Sequence, residues 1–330
     1  WNWTERYASQ PEILRYVNFV ADKLDVRGNI ELNTTVTGAV FDEGTDTWTV
    51  TTDTGASARA RYLVSATGIL SVPSMPTFEG MDTFAGEIYH TGDWPHEGVD
   101  FTGKRVGVIG TGSSAIQSIP LMAEQADQLT VFQRTATFTV PAANRPITEN
   151  ERKATKRSYK QLREQARRAG TGVLVDQPVG AFGEVEERIV RGELERRWRG
   201  TGFGTTSVLS DNLRSIEANN YTSQFVRDKI NEIVDDPAVA KLLEPHDYPI
   251  GTKRLALDTN YYDTYNRENV KLVSVRDTPI ERFSPAGIVV GDTEYEFDAI
   301  VLATGFDAAT GALERIQFEG VDGRTLTDAW

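Results

Sequence analysis

Arg105-Val-Gly-Val-Ile-Gly110-Thr111-Gly112-Ser113-Ser114-Ala115-Ile116-Gln117 is the stretch that decides the fold. An apolar strand candidate runs straight into G-x-G-x-x-A and then into a helix-forming segment. That order is the pattern of a dinucleotide-binding strand–loop–helix unit. Gly110 permits the tight turn, and Gly112 lets a pyrophosphate approach the backbone. Small Ala115 allows the helix to lie close to the strand. The helix opening formed by Thr111, Ser113, Ser114, Ile116 and Gln117 offers N–H donors and a positive dipole end to phosphates. A glycine string alone also fits a plain tight turn, but here a strand precedes it and a helix follows.

The next strand candidate, Leu129-Thr-Val-Phe-Gln133, ends in Arg134-Thr135, about twenty residues past the loop. An NAD site places an acidic residue there for the ribose 2′-hydroxyl. Arginine suits a 2′-phosphate instead, because its planar fork pairs bidentately and stacks on adenine. NADP is the dinucleotide expected, with Arg134 at its 2′-phosphate.

Working outward, strands are expected at Ile30–Val36, Thr47–Thr52, Tyr62–Ala66, Arg105–Ile109, Gln128–Gln133, Gly287–Val290 and Ala299–Ala303. Pro11 marks the start of a helix that carries Ile13, Leu14, Val17 and Val20 at helical spacing. Between 141 and 249 the character changes. Helical stretches are expected near 150–168, 183–198 and 222–243, and the run Arg152–Arg168 holds eight Lys/Arg. That run reads as a solvated helix face before an anion-binding one. The fold class expected is α/β, with a helical insertion in a doubly wound segment.

Composition sets the outer bounds. The 330 residues carry 35 Lys/Arg against 48 Asp/Glu, a net charge of −13, which argues against nucleic acid or an anionic membrane as main partner. No apolar run is long enough to span a bilayer. Zero cysteines exclude disulfides and thiolate chemistry from these residues, and three histidines leave little for a histidine-rich metal site.

Before the loop lies Phe84-Ala-Gly86-Glu-Ile-Tyr-His90-Thr-Gly-Asp-Trp94-Pro95. Its spacing, F-x-G-x-x-x-H-x-x-x-W-P, resembles the fingerprint of Baeyer–Villiger monooxygenases, within the flavin-containing monooxygenase superfamily. Ser65-Ala-Thr-Gly68 and Leu302-Ala-Thr-Gly305 end apolar stretches in small residues, as suits a chain crossing between domains. The resemblance implies two dinucleotide-binding domains, with a Rossmann-like NADP domain inserted in an FAD domain. It implies residues 1–70 as a partial FAD domain, 71–140 and 250–306 as the NADP domain, 141–249 as the helical insertion, and 307–330 as the return to the FAD domain. No FAD-type glycine loop precedes the fingerprint, so the chain is expected to be an internal piece with Trp1 and Trp330 as cut edges.

The activity implied is oxygen insertion beside a ketone carbonyl through a C4a-peroxyflavin, using NADPH, FAD and O2. The alternatives are an N- or S-oxidising flavin monooxygenase, or an NADP-binding module without turnover. Gly251-Thr-Lys-Arg254 falls where the family keeps its catalytic arginine. The resemblance therefore implies Arg254 as the catalytic cation, Lys253 as a 2′-phosphate ligand beside Arg134 and Thr135, and Val36 as a backbone contact to the FAD adenine. His90 is expected as a hydrogen-bonded linker histidine. A small-molecule ketone, no nucleic acid, no membrane, no metal, a monomeric full-length protein and a cytoplasmic setting complete the expectations.

Overall fold

The computed structural model describes residues 1–169 and 172–330. The chain divides into two compact units: Trp1–Ile13 with Thr77–Ala303, and Leu14–Pro76 with Thr304–Trp330. The first is built on five parallel strands: β1 (Glu87–His90), β2 (Arg105–Ile109), β3 (Gln128–Gln133), β4 (Val270–Ser274) and β5 (Ala299–Leu302). Their order across the sheet is β1-β5-β2-β3-β4. From β2 the chain continues to β3 on one side, while β5 flanks the other. The carboxyl end of β2 is thus the switch point where open α/β sheets bind ligands.

Both faces of this sheet are covered, which is why β2 and β5 read as near-continuous apolar runs. Val106, Val108, Leu129 and Val301 enter a core with Ile116 and Ile119 of the helix Ser113–Gln125. On the opposite face Ile109, Phe132, Ile300 and Leu302 meet Phe283, Ile288 and Phe297. Those three belong to an antiparallel meander of Ile280–Phe283, Gly287–Val290 and Thr293–Glu296, and to the residue after it.

Four helices, Glu149–Arg168, Glu187–Gly200, Ile216–Ile233 and Pro237–Leu243, occupy the region expected to be helical. The expected 222–243 helix is two helices. Pro237 has no N–H to continue the first, and Asp236 caps the second by accepting from the Ala238 N–H at 2.8 Å. Leu194, Trp198, Phe225 and Val226 form a second core with Phe138 and Val140. The basic helix Glu149–Arg168 buries no side chain and begins in a capping box between Thr148 and Glu151.

The smaller unit holds a four-stranded sheet in the order Gln317–Glu319, Val36–Asp42, Thr47–Thr52, Ser57–Ala60. Two expected strands are corrected here. The stretch expected as Ile30–Val36 is irregular after a 3-10 turn at Arg27–Asn29, and the strand starts at Val36 and runs to Asp42. Tyr62–Ala66 forms no strand, and Tyr62 and Val64 are exposed. Both runs have strand composition, but residues 30–35 and 62–66 find no ladder partner among the described residues, and a strand is defined by where its backbone groups bond. No described helix is long and apolar enough to cross a membrane.

Candidate functional site

The loop after β2 is shaped by two glycines with different reasons to be glycine. Gly110 has φ +107°, and a Cβ there would lie 2.6 Å from the Ala303 carbonyl oxygen at the end of β5. The fold itself demands it. Gly112 has an ordinary φ of −79°, and a Cβ there would meet nothing within 4 Å. No described residue requires Gly112, and the backbone there is open to approach.

Gly112 also precedes the helix Ser113–Gln125 without a side-chain cap, which leaves the first-turn N–H groups of Ser113 and Ser114 as accessible donors at the positive end of the helix. Ala115 and Ile116 are fully buried, and the Ile116 N–H is bonded to the Gly112 carbonyl. Those two residues seat the helix by packing. Gln117 is exposed, with its amide on the Ser113 carbonyl.

Thr111 joins this loop to the end of β3, its buried hydroxyl donating to the Thr135 carbonyl at 2.9 Å. Arg134 stands exposed beside Thr135 and makes no ion pair with any described residue. Lys253 is brought to the same turn through Tyr248. The Tyr248 ring packs edge-on to Phe138, and its hydroxyl bonds the Ala136 carbonyl and the Phe138 N–H, each at 3.3 Å. The Lys253 ammonium sits 4.3 Å from the centre of that ring, a cation–π distance. Burial pushes the Tyr248 phenol above its ordinary pKa, so it stays a neutral platform.

Arg254 follows, exposed and without an ion pair among the described residues, just before the short strand Ala256–Asp258. Val36 is the first residue of its strand in the smaller unit, paired with Thr52 and 37% exposed. The loop residues, Arg134, Thr135, Lys253 and Arg254 share one unit; Val36 belongs to the other.

The fingerprint residues have structural duties of their own. Phe84 packs edge-on to Phe283, and a Cβ on Gly86 would sit 2.5 Å from the Asp298 carbonyl oxygen. His90 ends β1 buried, its Nδ1 accepting from the Gly92 N–H at 2.9 Å, which places the neutral ring's proton on Nε2. Trp94 lies against Tyr89 and Phe101. Together they fix the segment around β1 to the sheet edge.

Sequence reasoning did not single out Arg276 and Asp247. The Val275 N–H donates to the Gln133 carbonyl at 2.8 Å, so Val275 is level with Arg134 and Arg276 follows level with Thr135. Its guanidinium makes a two-pronged pair with Asp247, at 2.8 and 2.6 Å. Arg276 holds the Asp247 carboxyl below the usual carboxylate range, with His246 and Lys253 adding to the effect. Twenty-nine residues separate the partners, so no local motif announces them.

Residues 1–169 match the family model described as pyridine nucleotide-disulphide oxidoreductase. The chain belongs to that family. Within it, homologues 37–43% identical include Baeyer–Villiger monooxygenases. Acetone monooxygenase (methyl acetate-forming) from Gordonia sp. strain TY-5 is 41% identical over the whole chain. Among solved structures, oxidized steroid monooxygenase bound to NADP superposes with a TM-score of 0.96 at 49% identity, covering all of this chain and 63% of that one. A crystal structure of OTEMO with FAD and NADP gives 0.95 at 43%, with the same coverage. The chain spans 62% of the length of the acetone monooxygenase. In this family fold, the parallel sheet with its loop is the Rossmann-like element.

Proposed function

We propose that the complete protein is an NADPH- and FAD-dependent Baeyer–Villiger monooxygenase, converting a ketone and O2 to an ester or lactone. In this reading residues 71–140 and 250–306 form the NADP domain, 141–249 its helical insertion, and 1–70 with 307–330 part of the FAD domain. The observation that carries it is the loop at Gly112: an accessible backbone, uncapped helix N–H groups, and, on the adjoining strand end, the exposed Arg134, which makes no ion pair among the described residues. Likeness along the whole chain to a ketone-oxidising relative supports the reaction class.

The donor set suits NADP. The first-turn N–H groups would take the pyrophosphate, and Arg134, Thr135 and the ring-lodged Lys253 would take the 2′-phosphate. FAD, when bound, supplies the redox chemistry with NADPH and O2, and Val36 would meet its adenine end through the backbone.

Arg254 supplies a permanent cation where negative charge develops as oxygen adds to the ketone. Arginine keeps its proton at any working pH, whereas a lysine in a dry pocket can lose it. A preorganised donor on a developing anion is worth about 10²–10³ in rate. Arg254→Ala in the complete enzyme is therefore expected to lower ketone oxygenation by at least about that factor while NADPH still reduces the flavin at the parental rate. Stopped-flow flavin reduction and product chromatography check the two halves. Ketone oxidation at the parental rate would remove Arg254 from the role, and sulfide or amine oxidation without ester formation would move the protein to another flavin monooxygenase class.

A further inference from the structure

We propose that Arg276 is a further specificity-determining residue of the dinucleotide site, a third cation on the adenosine 2′-phosphate beside Arg134 and Lys253. The inference rests on the NADP reading above and adds a residue that the dinucleotide pattern does not contain.

Three separate tethers bring it there. β3 and β4 are neighbours in register, Gln133 opposite Ser274, and the ladder extends one step further through the Val275 N–H to the Gln133 carbonyl. Continued past its last pair, the register sets Val275 opposite Arg134 and Arg276 opposite Thr135, so Arg276 leaves its strand end one position beyond Arg134, level with the other residue of the expected 2′-phosphate pair. The second tether is Asp247, which grips the end of the Arg276 guanidinium with both carboxylate oxygens. The third is Tyr248, the next residue, whose ring carries Lys253 and whose hydroxyl is fixed to the turn after Arg134.

The charge arithmetic suits a phosphomonoester. Arg134, Lys253 and Arg276 against Asp247 and the more weakly acting Asp277 leave a net positive cluster, the sign that a phosphate monoester of charge about −1.5 to −2 requires. Asp247 occupies only the terminal nitrogens of Arg276, and a guanidinium has five N–H donors. The remaining donors can serve a phosphate oxygen while the pair stays made. A surface ion pair alone is worth little, so no stability argument explains this one. Its place next to Arg134 and Lys253, neither of which makes a direct ion pair with a described residue, does.

The test compares NADP⁺ and NAD⁺ dissociation constants, by calorimetry, for the protein and for Arg276→Leu, Arg276→Lys and Arg134→Ala, with melting temperatures recorded for each. Arg276→Leu is expected to weaken NADP⁺ about tenfold and leave NAD⁺ within about twofold, as one lost charged hydrogen bond implies. Arg276→Lys is expected to recover part of the loss, because a cation without the fork still attracts the phosphate. If Arg134→Ala collapses the NADP⁺ preference and Arg276→Leu does not, the inference fails and the NADP reading stands. If neither substitution changes the preference, the 2′-phosphate reading itself fails and takes Arg276 with it. Equal weakening of both dinucleotides by Arg276→Leu would show a structural role only.

Discussion

Gly110 and Gly112 sit two residues apart in the same motif, yet the chain needs them for different reasons, and the difference is measurable. Gly110→Ala places a Cβ in a left-handed conformation and against the Ala303 carbonyl. It should cost at least about 1 kcal/mol of stability, seen as a melting temperature lowered by roughly 2–4 °C or more. Gly112→Ala meets neither obstacle, so its melting temperature should match the parent's, while the methyl group intrudes on the pyrophosphate path and weakens NADPH about tenfold or more. If Gly112→Ala instead lowers stability and spares binding, the loop's open space is not a ligand's. At this scale the sequence was informative where chemistry is local. The loop, Arg134 and Thr135 could be read because a strand, a turn and a helix follow one another in the chain. Arg276 could not, because its relation to Arg134 exists only through the β3–β4 ladder.

The elements show the same division between local pattern and assembled partner. Thr47–Thr52, Arg105–Ile109, Gln128–Gln133 and Gly287–Val290 fall where their apolar patterning puts them. Ile30–Val36 and Tyr62–Ala66 have comparable composition and fail because pairing, which composition does not encode, is missing. The short ladder of Thr139–Pro141 on Ala256–Asp258 was invisible for a related reason. It is tied by a buried hydrogen bond from the Thr139 hydroxyl to the Asp258 carboxylate across 119 residues. Among the described residues no cation pairs with Asp258; its other oxygen accepts from the Tyr261 N–H at 3.2 Å.

Burial raises the Asp258 pKa above the ordinary carboxyl value, with Asp263 adding a smaller push. Between the ordinary value and the raised one the folded state holds a proton that the unfolded chain has lost. This group's contribution to stability is therefore full below the ordinary carboxyl pKa and falls as pH rises through the raised one. Asp258→Asn keeps the shape and an acceptor, and removes the charge. Its melting temperature should equal the parent's below the ordinary carboxyl pKa and exceed it once pH has passed the raised one. Thermal scans from about pH 3 to pH 8, starting below the ordinary carboxyl value, give the difference directly, free of the other carboxylates. An Asn variant less stable than the parent at pH 8 would mean that the charge is compensated by something other than these two donors.

Across the whole molecule, burial is distributed unevenly between the two units. All three apolar cores lie within Thr77–Ala303. In the unit of Leu14–Pro76 and Thr304–Trp330, Ala39 and Val72 are the only buried apolar residues among those described. Leu14, Val17 and Phe19 of the helix Gln10–Lys23 are exposed, as are Leu32, Ile69 and Leu70. A sheet with so little apolar burial opens at low free energy, because its hydrogen bonds have no core to hold them shut. In the 330-residue polypeptide, amides in the ladder of Val36–Asp42 on Thr47–Thr52 should therefore exchange at least about 100-fold faster than those in the β2–β3 ladder, a gap of roughly 2.7 kcal/mol. Hydrogen exchange with peptide-level mass spectrometry reads both ladders in one experiment. In a polypeptide of the relatives' full length the slower rate should spread to Val36–Thr52, as further chain covers these apolar residues. Equal protection of the two ladders in the 330-residue chain would show that the smaller unit is held by its sheet alone, and that its exposed apolar residues await no cover.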